Sequence, residues 1–119
     1  AEAAVLLGAP SRLSDVLDRF IHAMRLPAEV REGMIRIMES RFGAGVLEQT
    51  SVDILAGRLD VPALLVHDVD DAEVPWTDAQ RTARAWRRSR LVSTAGLGHR
   101  RILRDGPVLD EVTAFIAPE

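Results

Sequence analysis

The stretch PALLVHDVDDAEVP, residues 62–75, decides the fold. Ala63 to Val66 is apolar at every position, bounded by Pro62 and followed by an acidic turn. A run this short, apolar throughout instead of at alternate positions, suits a strand buried on both faces, as in a parallel sheet covered by helices. The flanking sequence supplies the crossovers that such a sheet needs. After Pro75 the pattern predicts a helix over Thr77 to Arg87, then a strand over Arg90 to Ser93. Gly96 and Gly98 break the chain before His99, and Val108, Leu109, Val112, Phe115 and Ile116 recur at the spacing of an amphipathic helix.

Upstream, Ala3 to Leu7 is a short apolar run closed by Gly8-Ala9-Pro10, which predicts a buried strand and a turn. Leu13, Val16, Leu17, Phe20, Ile21 and Met24 then follow helical spacing, with Asp15, Asp18, Arg19 and His22 opposite. Ser11 or Ser14 is expected to cap this helix and Pro27 to close it. Val30, Met34, Ile37 and Met38 predict a second helix ending before Gly43 and Gly45, and residues 46–58 a short third one opened by Thr50 or Ser51. The expected class is α/β: a short parallel sheet of about three strands with helical crossovers. Three segments follow, with a strand and turn in 1–10, a helical region in 11–57, and an α/β core in 58–119.

Composition narrows the function. Hydrophobic residues make up 47% of the chain and aromatics 4%, with no tyrosine, so aliphatic side chains must build the core. The net charge of −3 argues against general nucleic-acid binding. With no cysteine, disulfides, thiolate metal sites and a cysteine nucleophile are excluded; a reducing cytoplasm is the expected compartment. No stretch approaches the ~18 apolar residues of a membrane span. The sequence opens without methionine and enters an apolar run almost at once, which reads as a chain cut upstream of a strand. An apolar edge at residues 3–7 would then invite self-association into a dimer or swapped oligomer.

In open parallel sheets chemistry lies beyond the carboxyl ends of the strands. The acidic loop 67–75 and the glycine-histidine loop 95–99 both lie there, bringing a carboxylate and an imidazole to one edge. A histidine acting as a base needs a buried carboxylate to fix its tautomer and stabilise its charge. Taken singly, an acidic loop is also a common solvated turn and a lone histidine is often incidental.

Together, the two segments resemble the α/β-hydrolase family. Residues 62–75 resemble its seventh strand and acid loop, P-h-L-h-h-H-G-x-x-D-x-x-V-P with h apolar; RLVSTAGLGHRRIL, residues 90–103, resembles its eighth strand and G-x-G-H loop. The acid precedes the histidine, as the family's Ser, Asp, His order requires. The resemblance implies that Asp71 is the triad acid, with Asp70 as the alternative, and that His99 is the triad base. It places His67 as a support of the turn and puts Asp68 where the family has a glycine that often takes positive φ, a conformation aspartate tolerates. No G-x-S-x-G occurs in the chain. The resemblance therefore implies a nucleophile and oxyanion hole about two dozen residues upstream of Ala1, and a fragment inactive by itself.

The implied activity is that of a serine hydrolase cleaving ester or related acyl bonds of a small-molecule substrate, without cofactor. A dehalogenase-like or peroxidase-like relative and a non-catalytic binding module on the same fold are the alternatives. The resemblance implies that 11–57 is a two-helix cap insertion over the active site; Met24, Met34 and Met38 all fall there and are candidates for an adaptable apolar substrate pocket, ordinary core packing being the other reading. Residues 76–104 hold eight arginines against the single acid Asp78. That is either an anion-attracting surface or a solvated face, and without interleaved aromatics a nucleic-acid partner is not expected. Histidines scattered at 22, 67 and 99 show no metal-ligand spacing.

Overall fold

A computed structural model describes residues 2–117; Ala1, Pro118 and Glu119, at the ends of the first and third expected segments, lie outside the described residues. Three parallel strands, β1 (Ala4–Leu7), β2 (Ala63–Asp68) and β3 (Ser89–Thr94), form a sheet in the order β1-β2-β3. Ala4 to Leu7 pair with Ala63 to Val66, and Ala63 to Asp68 pair with Ser89 to Thr94. β1 lies at one edge of this sheet among the described residues.

All six residues of the central strand β2 are buried, because helices cover both faces. Successive side chains point to opposite sides of a strand, so two apolar layers form. Ala63 and Leu65 pack with Trp86 and Ala56, joined by Leu6 and Leu91. These contacts carry α4 (Val52–Ala56) and α5 (Trp76–Ala85). Leu64 and Val66 pack instead with Val108, joined by Val5, Val92, Val112 and Phe115, against the last long helix, Gly106–Ile116. The Trp86 indole buries its ring in the first layer and donates to the Val61 carbonyl at 2.9 Å, so its polar atom is satisfied at the layer's rim.

Two helices, α1 (Leu13–Ala23) and α2 (Ala28–Phe42), follow β1. α1 ends where Arg25 takes a left-handed φ of 54°, the position that glycine commonly fills, and Pro27 precedes α2. Two local expectations are corrected here. Neither Ser11 nor Ser14 caps α1: its N-cap is Arg12, with no side-chain cap bond. Ser11 is fully buried instead, its amide donating to Asp78 at 3.0 Å, its hydroxyl accepting from Arg81 at 2.8 Å and its carbonyl accepting from Val52 at 2.6 Å. The serine thus fastens the chain ahead of α1 to α4 and α5. Residues 46–58 are not one helix but α3 (Val46–Gln49) and α4. The Val46 carbonyl accepts both the Thr50 amide at 3.0 Å and the Thr50 hydroxyl at 2.7 Å, and the next amide, Ser51, turns to the Glu48 carbonyl at 3.2 Å, which ends α3.

Beyond β3 the chain forms a short helix α6 (Gly98–Arg101), a 3₁₀ turn (Ile102–Arg104) and the last long helix, α7 (Gly106–Ile116). The Asp105 side chain caps α7 by accepting from the Val108 amide, and Pro107 occupies the first turn, where its missing donor costs nothing.

Candidate active site

β2 and β3 are neighbours and parallel, so their carboxyl ends deliver the acid loop and the histidine loop to the same edge. There the Nδ1 of His99 lies 2.8 Å from Oδ2 of Asp71. The Asp71 side chain is fully buried, whereas that of His99 is 31% exposed. A carboxylate can only accept, so Nδ1 carries the hydrogen and a neutral His99 presents Nε2 as a free base. The other Asp71 oxygen, Oδ1, accepts from the amides of Glu73 and Val74, both at 2.8 Å. The loop closes on its own aspartate in an Asx turn, fixing which oxygen faces the histidine.

His67 stands behind the pair. Its Nε2 is 2.8 Å from the Val74 carbonyl and 3.4 Å from Oδ2 of Asp71. The carbonyl can only accept, so Nε2 donates, and His67 ties the far end of the acid loop to the strand that starts it. Asp70 is exposed and accepts from the Gly96 amide at 2.7 Å. The two adjacent aspartates therefore have different partners: Asp71 takes the histidine and Asp70 its loop.

Asp68 departs from the expected turn. It is the last residue of β2, fully buried, and Arg25 is the one non-glycine with positive φ among the described residues. No left-handed backbone is needed at Asp68. The carboxylate accepts from the Thr94 hydroxyl at 2.6 Å and from the amides of Leu97 (3.1 Å), Gly98 (2.9 Å) and Asp70 (3.0 Å). Gly8 is the other residue that sequence reading passed over, as merely part of a turn. With φ at +63°, it lies so close that an added Cβ would stand 3.1 Å from Nδ1 of His99 and 3.5 Å from Oδ2 of Asp71.

Burial drives the Asp71 carboxyl towards higher pKa, but the Val74 amide, the His99 hydrogen bond and charge, and the Glu73 amide prevail and hold it below the ordinary value. Asp68 behaves alike: burial raises it, and Thr94, Gly98, Leu97 and Asp70 bring it lower on balance. Carboxylates with lowered pKa stabilise the folded state fully above the unfolded value of ~3.9 and lose that contribution as pH falls below it towards their folded values. Urea-unfolding midpoints should therefore drop as the pH falls below about 4, and drop less in Asp71→Asn; circular dichroism at several pH values checks this. An unchanged pH slope in that variant would count against the assignment.

The helices α1 and α2 border two openings. Leu13, Val16, Leu17 and Phe20 of α1 and Met34 and Met38 of α2 line an apolar groove of about 320 Å³. Met24 is 59% exposed at the end of α1 and does not line it. A wider cleft of about 680 Å³ runs between α1 and the acid loop, with Phe20 and His22 on one wall and Ala72, Glu73 and Val74 on the other. Five of the eight arginines of 76–104 have partners within the chain. Arg81 binds Ser11 and Asp15, Arg88 the Asp60 carbonyl, Arg90 Glu111, Arg100 Glu73, and Arg101 the carbonyls of Gly96 and Leu97. Among the described residues no group of three or more histidine, cysteine, aspartate or glutamate side chains is placed to hold a metal ion, and no helix is long and apolar enough to cross a membrane.

Known proteins place this architecture. Rv0554 from Mycobacterium tuberculosis superposes with a TM-score of 0.66 at 19% identity, over 98% of this chain and 56% of its own. The esterase RhEst1 from Rhodococcus sp. ECU1013 gives 0.63 at 20% identity, over 97% of this chain and 55% of its own. The esterase PF2001 of Pyrococcus furiosus gives 0.57 at 16% identity, over 98% and 43%. The chain thus spans about half the length of these structures or less. No curated protein matches it in sequence. Residues 43–117, more than half of the chain and including both loops, match the TAP-like protein family. With this match over the two parallel strands and loops that carry the site, the chain belongs to the TAP-like family of α/β-hydrolases.

Proposed function

We propose that this chain supplies the acid and the base of a serine-hydrolase triad that cleaves ester or related acyl bonds. The observation that carries the proposal is the 2.8 Å contact from Nδ1 of His99 to a fully buried Asp71 whose other oxygen is held by two amides. That arrangement leaves Nε2 of His99 free to take a proton from a serine hydroxyl as it attacks the acyl carbon. The histidine then returns the proton to the departing alcohol, leaving an acyl-enzyme. Water, deprotonated by the same Nε2, releases the acid.

The chain contains no G-x-S-x-G, so the serine and the oxyanion donors come from outside these residues, and residues 1–119 alone are inactive. The groove lined by Phe20, Met34 and Met38 suits an apolar acyl or alcohol group, which the flexible methionines can mould to; Met24 has no part in it. The cleft between α1 and the acid loop, lined by Phe20, Ala72, Glu73 and Val74, is the approach we assign to the scissile bond.

Labelling the protein with a serine-directed phosphonate and mapping the modified peptide tests the reading. The expected label lies on a serine of a G-x-S-x-G turn outside residues 1–119. Failure to label, or a label on Ser11 or Ser14, would refute it.

A further inference from the structure

We infer that Asp68 is a positioning residue for the proposed hydrolysis, clamping the histidine loop onto the acid loop so that His99 meets Asp71 in register. The inference rests on the hydrolase reading for its kinetic consequence and on geometry for the clamp itself. An ionised carboxylate offers about four lone-pair sites, and each receives one donor here. Thr94 and Leu97 donate to Oδ1, and Asp70 and Gly98 to Oδ2.

Those donors come from both sides of the site. Asp70 lies in the acid loop, one residue before Asp71. Leu97 and Gly98 immediately precede His99, and Thr94 ends β3. One fully buried side chain at the end of β2 thus bridges the two loops from beneath. Asp70 repeats the link at the surface through the Gly96 amide. Gly98 has φ at +75°, so its peptide is free to aim its N–H at Asp68.

Asp68→Asn nearly preserves shape but offers only about two acceptor sites and turns an NH₂ towards amide donors. At least one loop N–H loses its acceptor, and a buried donor without a partner shifts until it finds one. Small displacements of a catalytic group are costly, so kcat of the protein that also carries the serine should fall about tenfold to a hundredfold. KM should stay within about twofold, since the substrate groove is untouched. The hydrogen-bonded Nδ1 proton of His99, followed by NMR, should shift or broaden. Thr94→Val removes one donor from the same carboxylate and should move both readouts less, and the double variant should lose less than the sum of the two.

Wild-type kcat with an unmoved His99 proton in folded Asp68→Asn would overturn the inference. So would a loss confined to KM, or lowered stability with the His99 signal unchanged. The NMR signal is read without turnover, which separates the two ideas. A responsive signal in a protein that cleaves no ester would fail the hydrolase reading and leave the clamp standing.

Discussion

In the serine-bearing hydrolase proposed above, Asp71→Asn should lower kcat for a simple p-nitrophenyl ester by about 10³- to 10⁴-fold while the protein stays folded. The size follows from which atom of the new amide faces the histidine. The amides of Glu73 and Val74 both donate to Oδ1, so the asparagine must place its carbonyl oxygen there. Its NH₂ then lands at Oδ2, 2.8 Å from Nδ1 of His99. Nδ1 can no longer donate and becomes the acceptor, which moves the imidazole hydrogen to Nε2. The base is occupied on the side where it must take a proton. The same NH₂ also faces the donor Nε2 of His67 at 3.4 Å, so a modest loss of stability accompanies the loss of rate. Asp70→Asn is the matched control: it weakens one exposed bond to Gly96 and should cost less than about tenfold. Turnover in Asp71→Asn above a tenth of wild type, or an equal collapse in Asp70→Asn, would take the acid role from Asp71.

The sheet was legible because its evidence is local. The apolar run at 63–66 declares a two-sided strand, and glycine and proline mark the ends of its neighbours. Its true end was not legible: β2 continues through His67 and Asp68, which an apolar criterion rejects. They are tolerated inside because Val74 satisfies one and Thr94, Leu97, Gly98 and Asp70 the other. Most of these partners lie 26 to 30 residues away and no short window contains them. The same holds for Ser11, where helix-start chemistry suggested a cap but the partners Asp78 and Arg81 lie 67 and 70 residues on. Asp71 and His99 were readable because two motifs of fixed spacing announce them; what aims them was not. Methionine positions showed a helix stripe, but only packing of α1 on α2 separates Met34 and Met38 from the exposed Met24.

Gly8→Ala is expected to cut turnover by about a hundredfold, though it changes no group that reacts. Two costs combine at this position and can be told apart. A side chain at φ +63° is strained by about 1–2 kcal/mol, wherever it lies. The second cost is particular to the site, since the new methyl would stand 3.1 Å from Nδ1 and 3.2 Å from Cε1 of His99. Something must give by a few tenths of an ångström. Gly8 is held by its amide to the Val66 carbonyl at 2.9 Å, within the sheet, whereas His99 stands on a short helix with a third of its side chain exposed. The imidazole is the softer partner and moves, lengthening its bond to Asp71. Gly45 supplies the comparison: its φ is +79°, but an added Cβ there meets Gln49 and Glu48 no closer than 3.7 Å. Gly45→Ala should lose similar stability in urea and keep its activity. If both variants lose activity alike, strain alone explains the effect, and the close approach of β1 to the Asp71–His99 pair has no part in holding the histidine.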